Sequence, residues 1–278
     1  MSDTANLPTA RTHFLPRDLK LGEPFKGSKG IMAFSPNGTL YLFVHGFNGS
    51  AASTWNMFPE LLMNDSLFAN SDLVFLQYES LKTQARANAG RLYTLLQKLA
   101  SNPVEMINES LPSKFPRENS FKYKKISLVG HSLGAVLCRQ ALLDACKNKE
   151  PWASTTDLTL FAPAHMGSHL NALLKETVYH FVPGQFLGPL VSWHYQVISD
   201  LEPDSQFLRT LKDASSKYAT TLKAKKIVHG MDDHVVRVND FLDEDPTPIF
   251  LEGKGHTTVC KPNSSFKNPL EIVRDKDA

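Results

Sequence analysis

The chain lacks most of what would take it out of water. Its 278 residues hold no run of about 18 apolar residues, so a helical membrane span is not expected. The opening stretch, MSDTANLPTARTHFLPRDLK, has no apolar core of the secretory type. Cysteine is scarce: of three residues, Cys138 and Cys146 fall in one expected helix, which leaves no visible disulfide framework. An excess of one charge is also missing, since 30 basic residues face 28 acidic ones and the net +2 is scattered. That balance offers nucleic acid no basic face. The groups Lys122, Lys124, Lys125 and Lys223, Lys225, Lys226 each precede an apolar stretch and read as solvated strand entrances. Reduced thiols without an export signal lead to the expectation of a cytoplasmic protein.

What is present suffices for a sizeable core, with 42% hydrophobic and 21% charged residues. The first thirty residues, rich in proline and glycine, are expected to form an arm. From there short β-prone runs alternate with helical patterns. Strands are expected at 39–44, 73–78, 125–129, 157–161, 225–229 and 248–251, and helices at 53–64, 83–99 and 133–147. Residues 101–120 and 163–215 break the alternation. This order predicts an α/β fold, a mostly parallel sheet with helices on both faces. Reactive groups in such a sheet gather on loops at the carboxyl ends of its strands.

Gly130-His131-Ser132-Leu133-Gly134 satisfies GxSxG. The pattern fixes only three positions and arises by chance in roughly one chain in ten of this length, so its setting decides. It joins an apolar strand ending at Val129 to an apolar helix beginning near Ala135. A sharp turn there lifts a serine hydroxyl above the sheet, and small residues at 130 and 134 let strand and helix approach. The plainer reading is a glycine-flanked turn with a capping serine. As a nucleophile, Ser132 needs oxyanion donors. The Leu133 amide supplies one, and the Phe47 amide, on the His45-Gly46-Phe47 turn after the first long strand, is the candidate for the second.

A serine hydroxyl is a poor nucleophile without a base and a carboxylate behind that base. Of ten histidines, His256 follows the last expected strand on the glycine-rich turn Gly253-Lys254-Gly255. His131 is inside the elbow, His229 is within a strand, and His165 and His169 follow an earlier strand. For the acid, Asp232 and Asp233 both leave the end of the strand KKIVH, whereas Asp157 begins its strand and would face the opposite edge. The chain order Ser, Asp, His is the one this architecture uses.

The segments LFVHGFNGS, LVGHSLGAV, HGMDDHVV and GKGHTTVCKP resemble the oxyanion loop, elbow, acid turn and histidine loop of α/β-hydrolases. The likeness is greatest to the lipase-like branch that includes GPI-inositol-deacylase-type enzymes, and it spans residues 40–260. In that family the acid is followed by one residue and then two apolar ones, which favours Asp233-His234-Val235-Val236 and so Asp233. FAPAHMGSHL resembles a lipase signature with a proline-histidine pair, but Ala164 separates Pro163 from His165. A zinc reading of His165 and His169 lacks the glutamate of HExxH and a third ligand.

The resemblance implies a core over 31–169 and 216–278, with 170–215 as a cap or lid rich in Leu, Phe and Trp. It also implies a serine hydrolase of small-molecule ester or lipid-like substrates acting through an acyl-enzyme. No organic cofactor or metal is called for, and no partner beyond the substrate and a transient membrane contact. Thioester or amide cleavage would use the same residues, and a non-catalytic module of this fold would need none of them.

Overall fold

In the computed structural model, residues 17–33, 35–108, 117–168 and 196–274 are described. They form an eight-stranded sheet in the order β1-β2-β4-β3-β5-β6-β7-β8. The strands are β1 (Arg17–Asp18), β2 (Lys29–Ile31), β3 (Thr39–Val44), β4 (Asp72–Leu76), β5 (Lys125–His131), β6 (Thr156–Phe161), β7 (Lys226–Gly230) and β8 (Ile249–Leu251). From β4 to β8 neighbours pair in parallel, while β1 and β2 add an antiparallel edge. The helices are α1 (Phe58–Met63), α2 (Ala85–Ser101), α3 (Pro103–Asn108), α4 (Leu133–Lys147), α5 (Gln196–Asp200), α6 (Gln206–Ser215), α7 (Ala219–Leu222) and α8 (Asn268–Arg274).

Every residue of β4 is buried, as is every residue of β5 after Lys125. Side chains of a strand alternate between faces, so burial of consecutive residues means that both faces are covered. The chain runs from β3 outward to β4, then crosses back to place β5 on the other side of β3. Such a reversal opens a crevice at the carboxyl ends of the strands flanking it. The loops after β3 and β5 therefore meet there, with Val44 opposite Gly130 in the register.

The proline-rich lead-in differs from expectation: residues 17–18 and 29–31 join the sheet, with Leu19 and Phe25 buried. Strands this short carry no legible alternation. The helix expected from residue 53 begins only at Phe58, because Asn56 takes a left-handed conformation (φ 47°) that interrupts helical winding. At the amino ends of the strands, Asp157 meets Lys125 at 2.9 Å and Lys225 at 3.9 Å, on the edge away from the crevice.

The excursion expected as a cap is divided. Residues 169–195, with Phe186 and Trp193, lie outside the described residues. Residues 196–215 are part of the core instead, burying Val197, Leu201, Leu208 and Leu211. Asp200 Oδ2 accepts the Ala85 amide at 2.7 Å, at the start of α2, and the Ser168 amide donates to Leu201 O at 2.9 Å.

A buried ion pair fastens α4 to the segment between β7 and β8. Arg139 Nη1 and Nη2 donate to Asp245 Oδ2 and Oδ1 at 2.8 and 3.0 Å. The two side chains are 0% and 3% exposed. Asp245 also accepts the Ala224 and Leu242 amides, and the guanidinium lies over Phe241. Removing one partner leaves the other charge buried and unpaired, so Asp245→Ala is expected to lower unfolding free energy by about 3–5 kcal/mol. Asp18→Ala, which breaks the exposed pair with Lys29, should cost no more than about 1 kcal/mol. Urea melts of both variants check the contrast, and equal small losses would contradict it.

Candidate active site

Ser132 stands between the last residue of β5 and the first of α4 at φ 53° and ψ −119°, a conformation that a non-glycine residue holds only when its surroundings impose it. Its amide donates to Phe161 O at 2.9 Å, on the neighbouring strand. The two glycines of the motif are required by contact. A Cβ on residue 130 would lie 2.6 Å from Ala135 Cα, and one on residue 134 would lie 2.1 Å from Val44 O. Helix, elbow and central strand therefore touch through backbone, as the spacing in the sequence predicts.

Ser132 Oγ lies 2.9 Å from His256 Nε2, and His256 Nδ1 lies 3.0 Å from Asp233 Oδ2. A carboxylate only accepts, so Nδ1 carries the proton and the bare Nε2 faces the serine hydroxyl, which donates to it. All three groups are nearly closed to solvent: Ser132 is 1% exposed, and the side chains of His256 and Asp233 are 1% and 0% exposed.

The other oxygen of Asp233 accepts the Val235 and Val236 amides at 2.8 and 3.3 Å. Burial works to raise the Asp233 pKa, but the His256 hydrogen bond and charge and the two amides outweigh it and hold the carboxyl below its ordinary 3.8. Val235 and Val236, the apolar pair after Asp233-His234, thus supply the amides that hold the carboxylate, and both are buried. Asp232 is exposed, and its amide donates to Lys254 O at 3.0 Å.

Leu133 opens the 15-residue helix α4, where backbone amides lack intrahelical partners. Phe47 is buried on the turn after β3, and the preceding Gly46 is in contact with the elbow: a Cβ there would lie 2.8 Å from Ser132 Cβ. This turn is held by the His45 ring, to which sequence reasoning assigns no role, and by Tyr78, which it does not mark. His45 Nδ1 donates to Gly46 O at 2.8 Å, and Tyr78 stacks on the His45 ring at 4.3 Å. Tyr78 Oη also donates to His45 O at 2.7 Å. His165 packs on Phe241 with ring centroids 4.6 Å apart, and no cluster that could hold a metal occurs among the described residues.

Four buried imidazoles surround or back this site in uncharged form. Burial pushes the pKa of His45 and His229 down to about 4, and burial with the neighbouring His256 pushes His131 to about 3; burial holds His165 well below its ordinary value. Unfolding returns these rings toward 6.5, so below that value the unfolded chain binds protons that the folded one refuses. Their stabilising effect is complete above pH 6.5 and is lost as pH falls from there toward 4. Each ring contributes a slope of up to about 1.4 kcal/mol per pH unit. Urea midpoints are therefore expected to drop steeply between pH 6.5 and 5, and a flat profile would contradict the uncharged assignment.

Residues 35–173, half of the chain, match the family described as "Putative serine esterase (DUF676)". No curated protein matches the chain at a significant level. Among solved structures, the mature Bacillus licheniformis lipase BlEst2 is similar with a TM-score of 0.54 at 17% identity, over 86% of this chain and 93% of that one. The Rhodococcus 2-hydroxy-6-oxo-6-phenylhexa-2,4-dienoate hydrolase gives 0.55 at 16% identity, over 95% and 99%. Carboxyl esterase 2 from Tuber melanosporum gives 0.55 at 16%, over 98% and 86%. At these identities the structural likeness establishes the fold, that of the α/β-hydrolases, and the family match gives the family: the chain belongs to the one described as "Putative serine esterase (DUF676)".

Proposed function

We propose that the protein hydrolyses carboxylic esters through an acyl-enzyme formed on Ser132. The observation that carries this reading is the continuous line from Asp233 Oδ2 to His256 Nδ1 at 3.0 Å and from His256 Nε2 to Ser132 Oγ at 2.9 Å. His256 takes the serine proton as Oγ attacks the ester carbonyl, and Asp233 stabilises the imidazolium that forms. The Leu133 and Phe47 amides receive the negative charge of the tetrahedral intermediate. The imidazolium then protonates the leaving alcohol, the C–O bond breaks, and a water activated by the same histidine releases the acid.

An apolar acyl group suits what surrounds the site. Met231 and Val238, 58% and 40% exposed, stand on the loop that carries the acid. Both flanks of 169–195 are anchored at the same edge: Ser168 bridges to Val236, and its amide bonds Leu201 O. The intervening sequence is rich in Leu and Phe. Two of the structural neighbours are named as a lipase and a carboxyl esterase.

Ser132→Ala and His256→Ala are each expected to lower ester turnover at least about 1,000-fold while leaving the fold intact, and to abolish fluorophosphonate labelling. Asp233→Asn should be severely impaired and Asp232→Asn nearly normal. The reverse order would move the acid to Asp232, and near-native activity of Ser132→Ala would end the proposal.

If the acyl chain is buried against apolar side chains, kcat/KM across p-nitrophenyl esters should rise with acyl length. A buried methylene is worth about 0.8 kcal/mol, or roughly fourfold. A profile flat from acetate to octanoate would remove the apolar-acyl assignment and leave the hydrolase reading standing.

A further inference from the structure

His131 lies one residue before Ser132, at the end of β5, and its ring crosses to the histidine loop. Its Nε2 is 2.8 Å from the main-chain oxygen of His256. A carbonyl accepts only, so Nε2 carries the proton and Nδ1 is bare. Nδ1 has no hydrogen-bond partner among the described residues. It lies against Gly46, where a Cβ would come within 3.0 Å of it. The ring is 6% exposed, with its centroid 5.1 Å from that of His256. One side chain thus touches the oxyanion turn and the base's own main chain while its backbone belongs to the nucleophile's strand.

We infer that His131 is a positioning residue whose Nε2–H holds the His256 main chain so that the catalytic imidazole stays within hydrogen-bond reach of Ser132 Oγ. The inference rests on the acyl-transfer reading of Ser132, His256 and Asp233. Asp233 fixes the rotation of the His256 ring but not the path of its backbone, which follows Gly253 and Gly255 on a turn after a three-residue edge strand. A donor on the His256 carbonyl restrains that path directly. The donor itself is rigid: His131 pairs in register with Phe161, and the next residue is locked in the elbow.

The chemistry of the ring matters as much as its reach. A cation at residue 131 would repel the imidazolium that forms on His256 during turnover. Burial, with the neighbouring His256, pushes the His131 pKa down to about 3, so the ring donates its hydrogen bond without carrying charge. A lysine or arginine could donate but would bring that charge. A glutamine amide could donate without it.

That difference supplies the test, made in the full chain. His131→Gln and His131→Met place side chains of similar length at the site, and only glutamine offers an N–H to His256. We expect His131→Met to lose about 10–100-fold in kcat for p-nitrophenyl butyrate with KM within about twofold, as a small displacement of a catalytic base does. His131→Gln should return to within about fivefold of wild type, and the two variants should melt within a few degrees of each other. Equal kcat in the two variants, whether near wild type or both low, would overturn the inference, since the donor would not be what matters. Should His131→Met fail to fold, His131→Phe keeps an aromatic ring without the N–H and is held to the same comparison. Ser132→Ala separates the two levels: if it stays active the acyl-transfer reading itself fails, whereas an inactive Ser132→Ala beside a fully active His131→Met defeats only the role given to His131.

Discussion

With a hypothetical Cβ of residue 134 only 2.1 Å from Val44 O, and one of residue 130 only 2.6 Å from Ala135 Cα, backbone meets backbone at the elbow and no side chain fits between. This contact sets the distance between β3, β5 and α4, and the other parts of the site are arranged around it. It forces Ser132 into a positive φ that points its hydroxyl out of the sheet. It also brings the turn after β3 against the serine, because Gly46 packs on Ser132 Cβ. Strain of this kind, of order 1–3 kcal/mol at one residue, persists only where neighbouring structure over-determines it. Here that structure is the parallel register on either side of β5.

The carboxylate side of the site is built by different means. Asp233 is buried, and burial alone would favour its neutral form. Two main-chain amides and His256 together favour its ionised form. The segment that carries it is then tied to α4 by Arg139 and Asp245, which lie 106 residues apart in sequence. An ion pair so enclosed is a poor source of net stability. Its geometry does something else: the fork of Arg139 and the two oxygens of Asp245 accept few alternative alignments. The helix beginning at Leu133 and the loop following Asp233 are therefore held in one relative register.

How much of this could be read in advance follows from how each feature is encoded. Buried parallel strands are continuous apolar runs, so TLYLFV, KISLV and DLTLF are legible, with boundaries misplaced by a residue or two because polar His131 and Gly130 still pair in β5. The strands Arg17–Asp18 and Lys29–Ile31 are too short to show alternation, and only their pairing with β4 makes them part of the sheet. Ser132 and His256, which the structure brings together, are marked in the sequence by glycine spacing and loop position, whereas the sequence alone leaves Asp232 and Asp233 open and the family resemblance separates them. The contacts of Tyr78 with His45, His131 with His256, and Arg139 with Asp245 leave no local signature. Each joins elements distant in the chain, and each concerns a polar side chain whose partner is revealed only by packing.

These contacts also set one imidazole apart from the others. His45 uses Nδ1 to donate to Gly46 O and Nε2 to meet the Tyr78 amide at 3.4 Å, so neither nitrogen is available for proton transfer. His131 donates to a carbonyl, and its burial disfavours the charged form. His229 is likewise held neutral by burial. His256 differs in having a carboxylate on Nδ1, and its Nε2 meets only the serine hydroxyl. In a medium of low polarity an uncompensated imidazolium is costly, and among these four rings His256 is the one with a carboxylate at hydrogen-bond distance. The rings are chemically the same, and it is the distribution of partners around them that joins His256, among these four, to both a carboxylate and a serine hydroxyl.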